Sequence, residues 1–160
     1  MIRAAVGSVA GPVVAGAIAL VARVTNGRRL RPLSKRERRD LEGVVAGLDL
    51  SRVRVAEGCR LPLLPHFVAI TLGRTIYIRG HLARRPATLL VHELTHVRQF
   101  SERGWIGMTA GYATLWLRHG YVRHPMEVEA RAAEKAFLAR SPRSAEAGAV
   151  QAGEPDPKVT

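Results

Sequence analysis

Residues 89–100 read LLVHELTHVRQF. In a chain of 160 residues with six histidines, two of them, His92 and His96, stand four apart around a glutamate inside an apolar run. Four residues is close to one helical turn, so on a helix both imidazoles project from the same face. Leu89, Leu90, Val91, Leu94 and Val97 allow that helix to bury one side while the histidines look into a cleft. Two imidazoles so placed can hold one metal ion. Glu93 sits beside His92, close enough to deprotonate a metal-bound water without being a ligand itself. Zinc suits the set, since it accepts imidazole nitrogen and in catalytic sites takes three protein ligands and one water.

A third ligand has to come from elsewhere in the chain. The metzincin continuation H-E-x-x-H-x-x-G-x-x-H would require glycine and histidine where this chain has Gln99 and Glu102, which excludes that class. The later stretch MEVEARAAEKAF, residues 126–137, offers Glu127, Glu129 and Glu134. Glu127 and Glu129 lie about 200° apart around a helix, so only one of them can face a given metal. Met126, Ala130, Ala133 and Phe137 mark the face to be buried, with the two glutamates on either side of it. Tyr121, His119 and His124 fall between the two metal-bearing stretches and are candidate oxyanion donors, Tyr121 the one assigned to catalysis. Tyr112 and Trp116, four apart, read as core.

With these residues in place the chain resembles the gluzincin group of zinc peptidases, in which H-E-x-x-H is completed by a glutamate on a later helix. More closely, it resembles small bacterial zincin-like domains of uncharacterised function. The likeness runs over residues 50–137: a glycine-turned hairpin (AITLGRTIYIRG), then HELTHVRQF, then a tyrosine and proline ahead of a glutamate (YVRHPMEVEA). In such relatives the ligand is the glutamate of an E-x-x-A pattern, which here implies Glu127, with Ala130 in the alanine position. A carboxylate or amide often follows and supports a ligand histidine; this chain has Arg131 there, and Glu134 is the candidate to replace it. The resemblance implies a zinc metallopeptidase acting on a peptide or protein substrate, with Zn2+ on His92, His96 and Glu127 and Glu93 as general base. It also implies an extended substrate along a sheet edge, a role that chain order gives to residues 75–78. The alternative is a catalytically silent zinc-binding interaction or assembly domain on the same fold.

The remaining segments fit one small domain. Ser34 three residues before Glu37 is a capping-box pattern that predicts a helix to about Gly47. Val53-Arg54-Val55 alternates like a half-buried strand. Residues 67–72 and 75–78 are β-forming runs joined by Gly73-Arg74, a hairpin signal. Pro86 suits the first turn of the motif helix and Gly104 its end. A second helix is expected over residues 105–118, closed by Gly120, and a third from His124-Pro125 to about Leu138. The expected class is α+β: a small zincin-like domain in which a short antiparallel sheet or hairpin precedes the H-E-x-x-H helix and two further helices. Residues 1–30 form an apolar segment and basic linker, residues 31–140 the metallopeptidase domain, and residues 141–160 a disordered tail.

Composition narrows the partners. One cysteine, Cys59, excludes an internal disulfide and a multi-cysteine zinc site, and reads as a small buried residue. The net charge of +12 is concentrated at Arg28, Arg29, Arg31, Lys35, Arg36, Arg38 and Arg39. No RNA-recognition signature or aromatic-interleaved basic run accompanies these residues, so no specific nucleic-acid partner is expected. Residues 4–22 carry no charge and are rich in Ala and Gly around Pro12. Three readings of that segment follow: a membrane anchor with a cytoplasmic body behind it, a helix folded on the domain, or a cleaved signal.

Overall fold

The two β-forming runs pair as their composition predicts. The computed structural model describes residues 2–60, 67–82 and 87–140, with side chains described from residue 11 onward. In it β3 (Ala69–Leu72) and β4 (Thr75–Ile78) form an antiparallel hairpin in which Ala69 faces Ile78 and Leu72 faces Thr75. The two-residue turn works because Gly73 adopts a φ of 66°, a left-handed conformation open to glycine at no steric cost. Before the hairpin come α1 (Ile2–Asn26), β1 (Leu30–Pro32), α2 (Lys35–Leu41) and β2 (Arg54–Ala56); after it come α3 (Ala87–His119) and α4 (Pro125–Arg140). Pro86, His66 and the 141–160 tail lie outside the described residues.

The class is α+β, as expected, but the sheet is larger and mixed. Its order is β1-β2-β4-β3: β2 runs parallel to β4, and β1 runs antiparallel to β2. An expectation built on the hairpin alone misses this, because β2 joins β4 across the intervening β3 and a three-residue strand gives almost no periodic signal. The topology also corrects the substrate edge. β4 lies inside the sheet between β2 and β3, so among the described residues the edge beside the motif helix is β3.

Each face of the sheet is covered by a helix. Val55, Ile76, Ile78 and Ala69 pack beneath Leu90, Val91, Leu94 and Val97 of α3, with Leu33 and Leu41 closing one end. Ala56 and Tyr77, on the other face, pack with Cys59 and with Ala22 of α1. α1 is fixed there by Asn26, which donates from Nδ2 to the Arg60 carbonyl and accepts the Arg60 N–H. Residues 4–22 therefore sit within a helix packed on the sheet and on α3, and no helix among the described residues is long and apolar enough to cross a membrane.

The helix boundaries follow local chemistry. α2 opens on the expected capping box, with Ser34 Oγ accepting the Glu37 N–H and Glu37 accepting the Ser34 N–H. It ends at Leu41 rather than near Gly47, where Gly43 at φ 71° turns the chain. Gly104 breaks α3 with φ 68° and ψ 173°, at the position predicted for a helix end. The two halves of α3 stay linked across this kink because Phe100 before it and Met108 after it both pack on Met126 of α4. Met126 and Ala130 are buried and Ala133 and Phe137 partly so, the face foreseen for α4.

Candidate metal centre

α3 delivers His92 and His96 from one face, and α4, packed against α3, delivers Glu127 to both of them. His92 Nε2 stands 3.2 Å from His96 Nε2, 3.3 Å from Glu127 Oε2, and His96 Nε2 is 3.4 Å from Glu127 Oε1. The three side chains can hold one metal ion.

The outer partners decide which ring nitrogens are free. Glu134 Oε1 lies 2.5 Å from His92 Nδ1, and Gln99 Oε1 lies 2.8 Å from His96 Nδ1. A carboxylate and an amide oxygen can only accept, so both rings carry a proton on Nδ1, and it is Nε2 that faces Glu127, a lone pair there in the neutral ring and a second N–H in the protonated one. Glu134 thus stands where Arg131 leaves the expected carboxylate missing. Arg131 instead donates to the Val122 carbonyl at 2.5 Å, holding the turn before α4. Glu129 faces away: it accepts from Gln99 Nε2 at 2.7 Å and pairs with Arg98. Of the two glutamates the sequence leaves open, Glu127 is the one directed at the histidines.

Glu127 is held by a residue assigned to the core from sequence. Tyr112 Oη donates to Glu127 Oε1 at 2.8 Å, which the bend at Gly104 makes possible by returning the second half of α3 toward α4. Glu127 Oε2 is buried with no hydrogen-bond donor. Arg131 Nη1 stands 4.0 Å from it, too far for a hydrogen bond; a buried carboxylate oxygen without a donor costs about 1–3 kcal/mol or more, so the arrangement favours a proton or a further cation between Glu127 and the two rings. The electrostatics agree. Burial lowers the His92 pKa, yet Glu127, Glu93 and Glu134 outweigh it and push the group up to about 9. His96 is raised in the same way, against its burial, by Glu127 and Glu93. Burial raises the Glu127 carboxyl, but the two imidazoles hold it well below the usual range.

Glu93 is 5 % exposed, and its Oε2 accepts from Thr71 Oγ1 of β3 at 2.7 Å. Burial pushes its pKa up, opposed by His96 and Thr71. Thr71 has no signal of its own in the sequence; only the register of the hairpin beneath α3 brings it to the motif. Glu93 and His92 open onto a cavity of about 510 Å3 lined by Phe67, Val68, Ala69, Leu89 and Tyr121, with Thr88 and Glu134. Tyr121 stands half exposed at its rim, edge-on to Phe67, with its hydroxyl pushed up to about 12 by burial and by Glu127. The two other oxyanion candidates are elsewhere engaged or turned out. His124 is fully buried, stacks on Tyr112, donates from Nε2 to the Tyr112 carbonyl at 3.0 Å and accepts the Met126 N–H, which makes it a neutral structural residue. His119 is exposed at the end of α3.

Residues 32–104 match the family model described as the eCIS core domain. The eCIS core match takes in α2, strands β2, β3 and β4 and the His92–His96 half of α3, and it stops short of Tyr112, Tyr121 and Glu127. No curated protein and no solved structure matches the chain.

Proposed function

We propose that the chain is a zinc-dependent metallopeptidase, with His92, His96 and Glu127 as ligands and Glu93 as general base. One observation carries this reading: the two Nε2 atoms stand 3.2 Å apart, each within 3.3–3.4 Å of one Glu127 carboxylate oxygen, the rings are held from behind at Nδ1, and the buried Glu127 Oε2 has no donor. Tetrahedral zinc with bonds of about 2.0–2.1 Å separates its ligand atoms by about 3.3 Å, so the spacing favours zinc over calcium, which takes more and longer oxygen contacts. Zinc held there supplies an acidified water and a Lewis acid for a carbonyl oxygen.

The chain's own residues divide the rest of the work. Thr71 fixes Glu93 Oε2, leaving Oε1 to take the water's proton, and the raised carboxyl pKa suits a base that then hands the proton to a leaving amine. Tyr121, at the rim beside His92, is positioned to donate to a developing oxyanion. Among the described residues the outer edge of β3 has no strand beside it, and it supports an extended peptide. Arg79 N–H bonds the Val68 carbonyl, so alternation along the ladder turns the amides of Ala69 and Thr71 away from β4 and toward an added strand. The apolar walls from Phe67, Val68 and Leu89 favour an apolar side chain next to the scissile bond.

The test pairs metal content with hydrolysis of a broad peptide library. Wild type should hold about one zinc, His96→Ala and Glu127→Ala should lose most of it, and Glu93→Gln should keep the zinc and lose at least about a hundredfold in rate. Zinc retained in His96→Ala would remove the site. Full zinc with no hydrolysis by wild type would instead favour the binding-domain alternative.

A further inference from the structure

The metal centre uses one end of the molecule and leaves a second feature unexplained. α1 exposes Val13, Ala17, Leu20 and Val24, spaced four, three and four residues apart, which is a single apolar stripe along the helix. Leu20 is 64 % and Val24 75 % exposed. The second half of α3 lies directly alongside: a methyl group added at Gly11 would stand 2.6 Å from the Thr109 carbonyl oxygen, so the two backbones are in close contact. That half exposes Ile106, Trp116 and Leu117, with Trp116 54 % exposed. Single exposed apolar residues need no explanation, but a stripe along the outer side of one helix, with three more large side chains exposed on the helix it packs against, does.

Charge identifies what covers it. Residues 1–36 and 103–126 contain no Asp or Glu, so all the formal charge on α1, on the second half of α3 and on the residues after each is basic. Arg23 and Arg28 are exposed at one end of α1, and Arg118 and Arg123 are exposed at the end of α3 and just after it. A second copy of the chain would bring like charges together at this surface. An anionic lipid surface supplies the opposite charge and accepts the apolar side chains at headgroup level, with Trp116 of the type that settles at the interface. We infer that the α1/α3 face docks in the plane of an anionic membrane, without spanning it, and that this holds whether or not the metal centre is catalytic.

The experiment sediments the full chain with vesicles of phosphatidylcholine alone and with added phosphatidylglycerol, at low and high salt. Binding is expected to the anionic vesicles, weaker by at least about tenfold on neutral vesicles and at high salt. Leu20→Glu/Val24→Glu should weaken it by at least about tenfold as well. Both positions are exposed, so unchanged circular dichroism and zinc content will show that the variant is folded. No binding to anionic vesicles at low salt, or a variant that binds like wild type, would overturn the inference. So would a concentration-dependent dimer of wild type that the same variant abolishes, which would put a second copy on this face.

Discussion

His92 meets Glu127 through Nε2 at 3.3 Å and Glu134 through Nδ1 at 2.5 Å, so a proton and a metal compete for it. Its pKa is raised from 6.5 to about 9. In the metal-free protein the protonated ring therefore adds stability that is complete below pH 6.5 and lost as pH rises through about 9. Zinc must displace this proton, so zinc affinity is expected to climb over the same window, about tenfold per pH unit for each proton released, and to level off above it. Competition titrations against a chelator at several pH values between these limits check the slope; a flat profile would mean that His92 is not a ligand. Glu134→Gln and Tyr112→Phe each remove a support of a ligand and should weaken zinc by about ten- to a hundredfold, measured the same way. Glu134 was legible as a carboxylate one turn beyond Arg131. Tyr112 was not, because its role depends on the α3 bend, and an aromatic residue in an apolar helix looks like core whether or not its hydroxyl has work to do.

Among the elements, those defined by neighbours in sequence could be read and those defined by distant partners could not. The α2 capping box spans four residues, the hairpin turn is two, and the H-E-x-x-H spacing is set by a single helix. The parallel pairing of β2 with β4 depends on residues twenty-one apart, and the packing of α1 against α3 on the absence of a side chain at Gly11. Two substitutions separate these cases by unfolding in urea. Ser34→Ala removes one half of the capping box and is expected to cost about 1 kcal/mol. Gly11→Ala forces a methyl against the Thr109 carbonyl and is expected to cost about 1–3 kcal/mol. A Gly11→Ala protein as stable as wild type would mean that α1 slides freely on α3.

For the whole molecule, the sheet works as a partition, with the metal-bearing half of α3 on one face and α1 on the other. Charge bias was readable along the whole chain, yet its meaning depended on knowing that the acid-free segments, residues 1–36 and 103–126, form adjoining helices. Cys59 lies on the α1 side, 5 % exposed in the cluster with Ala22, Ala56 and Tyr77, its thiol donating to the Ala56 carbonyl at 3.1 Å and raised in pKa by burial. As the one cysteine in the chain, it is a built-in clock for the α1 contact. A thiol reagent in native buffer should label it slowly, at a rate set by how often α1 lifts away, and Asn26→Ala, which cuts the tie to Arg60, should quicken labelling by about tenfold or more. Labelling as fast as in denaturant would mean that α1 does not cover it. Anionic vesicles change that rate in a direction that tells whether the helix stays seated on the sheet when the protein is at a bilayer or is drawn off it.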